Sequence, residues 1–170
     1  AAILLIIFCA AQIFCGCGGN TITEKYRLIR IHIRADSNEP EAQAVKLKVR
    51  DKVSAYLEKE LEGVSDFETA YEKLGKSLGS IEEKANEVLK ANGFSYVSKA
   101  RLNNEFFPTR SYEDIVVESG YYDALIIELG SGKGDNWWCV IYPPLCYLEA
   151  KGSGKIRYKS YFAELFGKSN

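Results

Sequence analysis

Adjacent tryptophans on an extended chain must point to opposite sides, and this rule constrains the present sequence more than any other feature. Trp137 and Trp138 stand in Asn136-Trp137-Trp138-Cys139-Val140-Ile141-Tyr142-Pro143-Pro144-Leu145-Cys146, which holds both tryptophans, two of the five cysteines and two of the four prolines. Because side chains alternate with period two along a strand, one indole enters a core while the other faces outward. Pro143 and Pro144 remove two backbone donors and fix two φ angles. The strand therefore ends there, and the chain turns back so that Cys146 can approach Cys139. Two outcomes are open for that pair: a loop stapled by a disulfide, or a reactive thiol.

The amino end decides which compartment applies. Ala1 to Cys15 is an uncharged apolar run followed by Gly16-Cys17-Gly18-Gly19-Asn20, the pattern of an export signal or membrane anchor. The run falls short of the roughly 20 residues that span a bilayer. Gly16-Cys17 is a poor lipoprotein signal because Phe14 and Cys15 precede it. Cleavage or plain anchoring is expected, with residues 1–20 as signal or anchor, 21–148 as one domain and 149–170 as a tail ending in a short amphipathic helix. Export places Cys139 and Cys146 in an oxidising environment, where an even pair forms a disulfide.

Beyond residue 20 the charges nearly cancel, 22 basic against 23 acidic for a net −1, and the two signs interleave along every helical stretch. Such a surface has no footprint for nucleic acid. The single histidine and the scattered carboxylates give no metal-ligand spacing. Neither a cofactor nor a small-molecule substrate is expected.

Tyr26 to Arg34 alternates about β-branched residues, predicting a strand with Arg27, Ile29, Ile31 and Ile33 on a core face and Leu28, Arg30, His32 and Arg34 on an exposed polar face. Asn38, with Glu41 three residues on, predicts the cap of a helix over about residues 39–62. Its apolar arc includes Lys46 and Arg50, whose stems cover apolar surface or whose heads pair with Asp36 or Asp51. Capping boxes at Ser65 and Ser80 predict two more helices, about 66–78 and 81–91. Phe94 to Leu102 alternates as a strand, Pro108 marks an edge or loop, and Tyr112 to Val117 reads as a short strand. Tyr121 to Leu129 is expected to pair with the Trp-Trp strand as a hairpin through Gly130-Ser131-Gly132-Lys133-Gly134-Asp135. The fold class is α+β: a mainly antiparallel sheet of about four to five strands against two to three helices, with an N-terminal signal or anchor segment.

Two chemistries compete with the expectation of a binding protein. The glycine-rich loop resembles a phosphate cradle, but Gly134 stands where Ser or Thr is required and a strand, not a helix, follows. His32 with Cys139 would make a thiol hydrolase of the cell envelope if the two side chains met, with Asp36 or Asn136 orienting the imidazole.

Four blocks carry a family resemblance: Ile31-His32-Ile33-Arg34-Ala35-Asp36-Ser37-Asn38; Ala44 through Lys46-Leu47-Lys48-Val49-Arg50-Asp51; Phe107-Pro108-Thr109-Arg110; and Asn136-Trp137-Trp138-Cys139 with Pro143-Pro144-Leu145-Cys146. Over roughly residues 26–147 the chain resembles the stage II sporulation protein R family, departing mildly at Ile33-Arg34-Ala35. The resemblance implies an exported signalling protein, made in the forespore of an endospore former and acting between the forespore and mother-cell membranes. It implies as partner a membrane-embedded aspartic peptidase of the mother cell that processes the sigma-E precursor, and no catalytic residue. Trp137, Trp138, Tyr142, Pro143, Pro144 and Leu145, with Phe107 and Arg110, are the expected contact surface.

Overall fold

The computed structural model describes residues 20–21, 27–112, 115–143, 148–149 and 157–158. In chain order the elements are β1 (Asn20–Thr21), β2 (Ile29–Arg34), α1 (Pro40–Glu60), α2 (Phe67–Lys76) and α3 (Leu78–Ala91). Then come β3 (Ser98–Phe107), β4 (Arg110–Tyr112), β5 (Ile115–Val117), β6 (Gly120–Leu129), β7 (Asn136–Tyr142), β8 (Leu148–Glu149) and β9 (Arg157–Tyr158). The expected signal segment, Pro144 to Cys146, and the expected C-terminal helix lie outside the described residues.

Helix starts follow local chemistry, though not always at the expected residue. Pro40 opens α1, where its missing donor costs nothing, and Glu39 is the N-cap without a side-chain bond. Asn38 does not cap; its Oδ1 accepts instead from the backbone N–H of Asp135, 2.6 Å away. Asp66 caps α2, accepting from the Thr69 N–H at 2.8 Å. Ser77 closes α2 and also opens α3, so the second expected box at Ser80 falls inside a helix.

The main sheet has the order β3-β6-β2-β7, antiparallel except for the parallel β2–β6 pair. The class is α+β as expected, but the hairpin is not. β2 lies between β6 and β7, so the tryptophan strand is an edge strand. Stepping over one strand means covering about 10 Å, which the loop from Gly130 to Asp135 does easily. That loop is fastened to the end of β2: Gly134 N–H donates to Ala35 O at 2.8 Å, and Ser131 N–H to Asp36 Oδ1 at 2.6 Å. Lys46 Nζ reaches Asp135 O at 2.9 Å, so this lysine ties helix to loop, while Arg50 pairs with Asp51 at 2.7 Å.

Register assigns the two faces. Ile29, Ile31 and Ile33 pair with Asp123, Leu125 and Ile127, and this side carries the helices: Val45, Val49, Val53 and Leu57 of α1, Ala70 and Leu74 of α2, and Ile81, Ala85 and Leu89 of α3 are all buried. Each such Leu, Ile or Val stabilises the fold by about 1.5–3 kcal/mol. The opposite side holds a second, smaller cluster of Phe107, Ala124 and Ile126, flanked by Tyr122 and Trp138. The expectation that Arg30 and His32 face solvent therefore fails. They are 0% and 1% exposed, because aromatic residues of β3, β6 and β7 close over them. A short three-stranded sheet, β1-β5-β4, adds Tyr112 to this side, and β8 pairs with β9.

Candidate functional site: a charged and aromatic box on the second sheet face

Period two on β2 places Arg30, His32 and Arg34 on one face, and the register brings Ala124, Ile126 and Glu128 of β6 beside them. From β7 the matching residues are Val140, Trp138 and Asn136. β3 pairs with β6 so that Arg101, Asn103, Glu105 and Phe107 share this side with Ile126, Ala124, Tyr122 and Gly120. The face is thus graded, with ion pairs at one end and aromatic rings toward the other.

At the charged end Arg34 bridges two carboxylates, Glu128 at 2.7 Å and Glu105 at 2.8 Å. Arg101 grips the same two, Glu128 at 2.6 Å and Glu105 at 3.0 Å. The hydrogen bond from Arg101 is the main cause holding the Glu128 carboxyl below the ordinary carboxylate range, helped by Arg34. These side chains are 20–39% exposed, so the network gains less than a dry one would and costs less to desolvate.

Next inward is His32. Its ring stacks on Trp138 at 4.8 Å and 19°, with Phe107 tilted against it at 5.3 Å. Nε2 lies 3.2 Å from Glu105 Oε2, yet neither ring nitrogen has an aligned hydrogen-bond partner among the described residues, so this is a close approach and not a bond. Burial is the largest influence on its pKa, and Arg34 and Arg101 reinforce it against the opposing pull of Glu105 and Glu128. Together they lower the value from 6.5 to about 4. At neutral pH the imidazole is uncharged.

At the aromatic end the Arg30 guanidinium lies 4.4 Å from the Phe107 ring centre and 5.1 Å from that of Tyr122. Nη2 donates to the Tyr112 hydroxyl at 2.9 Å, while Nε and Nη1 have no acceptor among the described residues. Burial raises the Tyr122 phenol pKa, with Arg30 opposing. Arg110, exposed, holds its guanidinium 5.8 Å from the Trp138 ring centre.

The two tryptophans do separate onto opposite faces. Trp137, paired with Ile33, lies on the helix side with Arg50 5.7 Å from its ring, and Trp138, paired with His32, lies on the other. Both are half-buried, as are Tyr142 and Pro143, and the Tyr142–Pro143 peptide bond is cis. Pro144, Leu145 and Cys146 are outside the described residues. Phe107 is fully buried, so of the Phe107–Arg110 pair only Arg110 reaches solvent.

Cys139 pairs with Ile31, not with His32, and so points to the helix side of the sheet. A thiol and an imidazole on opposite faces of one sheet cannot exchange a proton, which removes the basis of the Cys139–His32 hydrolase. The glycine-rich loop leads into β7, a strand, and so lacks the helix start of a phosphate cradle. Among the described residues no group of three or more His, Cys, Asp or Glu could hold a metal, and no helix is long and apolar enough to cross a membrane.

Arg30, Arg34, Arg101, Glu105, Tyr112, Tyr122 and Glu128 were not expected to form a site. A signal existed in the three nitrogen-bearing side chains at alternate positions of β2, matched by Arg101 and Glu105 on β3 and Glu128 on β6. Pairing them needs the strand order, which no local pattern carries.

A family model described as Stage II sporulation protein R matches residues 25–152. The chain belongs to the stage II sporulation protein R family. The family is one of sporulation signalling proteins, and the match covers β2 through β8, including every residue of the box. The stage II sporulation protein R of Bacillus subtilis (strain 168) is 33% identical over 129 residues, 76% of this chain and 58% of that protein. No solved structure matches the fold.

Proposed function

We propose that the chain is an exported sporulation signal, made in the forespore, that activates a membrane-embedded aspartic peptidase of the mother cell and so leads to processing of the sigma-E precursor. Family membership is the observation that carries this reading. The uncharged apolar run from Ala1 to Cys15 supports delivery across the cytoplasmic membrane, into the space between the two cells, as a secreted or anchored protein. The protein acts by binding and not by catalysis.

The contact surface is the edge of the sheet at β7: Trp137, Trp138, Tyr142 and Pro143, continuing to Pro144 and Leu145, with Arg110 beside Trp138. Half-exposed tryptophan next to a free arginine is the composition of interface anchors. Cys139 and Cys146 form a disulfide that fixes the end of this edge. Its support is that Cys139 is 1% exposed, in a chain whose apolar amino end is the pattern of export to an oxidising compartment.

Trp137→Ala and Trp138→Ala, expressed separately in sporulating cells lacking the native copy, test the surface through the rate of sigma-E precursor processing. Loss of an anchor costs about 2 kcal/mol or more, roughly a thirtyfold loss of affinity. Normal processing by both variants, each folded and present at native level, would place the surface elsewhere. Normal processing in cells without the protein would end the signalling proposal itself.

A further inference from the structure

Arg30 and His32 are the most deeply buried polar side chains among the described residues, and they are the ones whose nitrogens are poorly served. Other buried cations find oxygen: Arg50 has the Asp51 carboxylate, and Lys46 has Gln43 Oε1 at 2.6 Å and Asp135 O. Among the described residues Arg30 has one neutral hydroxyl and two rings. A guanidinium carries its positive charge into the interior, so that charge must be met where it lies. Neutral rings and a phenol do not supply a counter-charge, and a buried ion without one is strongly disfavoured. A native chain keeps such a group where something else completes it.

We infer that Arg30, His32, Phe107, Tyr112, Tyr122 and Trp138 form a receptor for a carboxylate group presented by an acidic segment of a partner protein. The planar guanidinium matches a carboxylate through two parallel N–H···O bonds. It has two such edges, Nε with Nη2 along its side and Nη1 with Nη2 at its end. Each edge uses its own Nη2 hydrogen, and the Tyr112 hydroxyl occupies one of them. Arg30 is 0% exposed, so a ligand reaches it by displacing what covers it, and Tyr112 is half-exposed and belongs to the short β4 strand outside the main sheet. His32, two residues along the same face, contributes its neutral ring to the wall of the site, with Nε2 3.2 Å from Glu105 Oε2. Phe107, Tyr122 and Trp138 keep water from competing. The inference does not depend on which protein supplies the acid, and so stands apart from the peptidase reading.

The test uses the full chain labelled with nitrogen-15, following the Arg30 Nε–H resonance, identified by its loss in Arg30→Lys. Three probes are titrated against sodium chloride of equal ionic strength: acetate, a peptide with internal aspartates and an amidated end, and a peptide without acidic side chains but with a free C-terminal carboxylate. A saturable shift with acetate, tightened by one peptide, establishes the receptor and names which carboxylate it reads. Tyr112→Phe, which removes the competing hydroxyl, is expected to tighten binding about tenfold, and Arg30→Lys, which keeps the charge but loses the fork, to weaken it by at least about tenfold. Arg30→Gln is expected to abolish binding while leaving the free protein at least as stable, since an unmatched buried charge is gone. No saturable shift with any probe in both native and Tyr112→Phe protein would overturn the inference. So would carboxylate binding that survives in Arg30→Lys and Arg30→Gln alike.

Discussion

His32 makes the stability of this domain depend on pH in a way that a single substitution isolates. It is the one histidine of the chain, so no other imidazole titrates alongside it. In the unfolded chain it takes up a proton near its ordinary pKa of 6.5, whereas in the fold it resists protonation until about 4. Its folded pKa is the lower one, so its contribution is fully present above 6.5 and is lost as pH falls through the window from 6.5 to 4. At about 1.4 kcal/mol per pKa unit the complete loss is about 3 kcal/mol, and between about pH 7.5 and about pH 5 the expected loss is about 2 kcal/mol. Urea unfolding followed by tryptophan fluorescence measures this directly, because Trp138 stacks on the imidazole. His32→Phe keeps a ring between Trp138 and Phe107 and has no proton to gain, so its stability should be nearly flat over the same interval. The neighbouring Glu128, its carboxyl held low by Arg101, adds its own loss only at more acid pH. Parallel stability curves for native and His32→Phe protein between about pH 7.5 and about pH 5 would refute the argument.

Other consequences are equally open to measurement. A Cβ at Gly134 would stand 2.2 Å from the Ser37 carbonyl oxygen, a backbone atom that cannot swing aside; Gly134→Ala should cost about 2 kcal/mol in urea unfolding and loosen the loop over β2. Glu128→Met leaves Arg34 and Arg101 sharing Glu105 and should cost about 1–2 kcal/mol, part of which Arg101→Met in the same chain should restore in a double-mutant cycle. Asp66→Ala removes the acceptor for the Thr69 N–H and should lower the denaturation midpoint. Cys139→Ser and Cys146→Ser should impair stability equally, and each should gain one alkylatable thiol over the native protein, left by the lost partner.

Local chemistry was readable wherever it decides local structure. The alternation around Ile29, Ile31 and Ile33 gave both the strand and its core face, the spacing from Ala42 to Leu57 gave α1, and adjacent tryptophans on opposite faces followed from period two alone. The exposed face assigned to Arg30 and His32 was wrong for a reason of the same physics. Burial of a strand's second side depends on what other strands carry across it, here Phe107 of β3 and Trp138 of β7. The hairpin failed similarly. Gly130 and Gly132 do adopt positive φ, as a turn requires, but a loop of that composition serves equally well to step over a neighbour's end, and Asp36 and Asn38 hold it there. Asn38 itself was drawn to the loop instead of the helix, which only the third dimension reveals.

The place of β2 between β6 and β7 has a temporal side. The first long strand to be made is central in the sheet, yet both its neighbours come after all three helices in the chain. Contacts so distant in sequence form late and slowly, because the loop between them must be closed before they repay its entropy. Until β7 has been delivered, the row of hydrogen-bonding groups on one side of Ile29–Arg34 has no strand to meet, and Trp138 is not yet there to cover His32. A chain emerging from its amino end therefore remains unfinished until the tryptophans arrive. β7, the edge proposed as the contact surface, is also the strand that completes the fold, so a copy truncated before it would lack both.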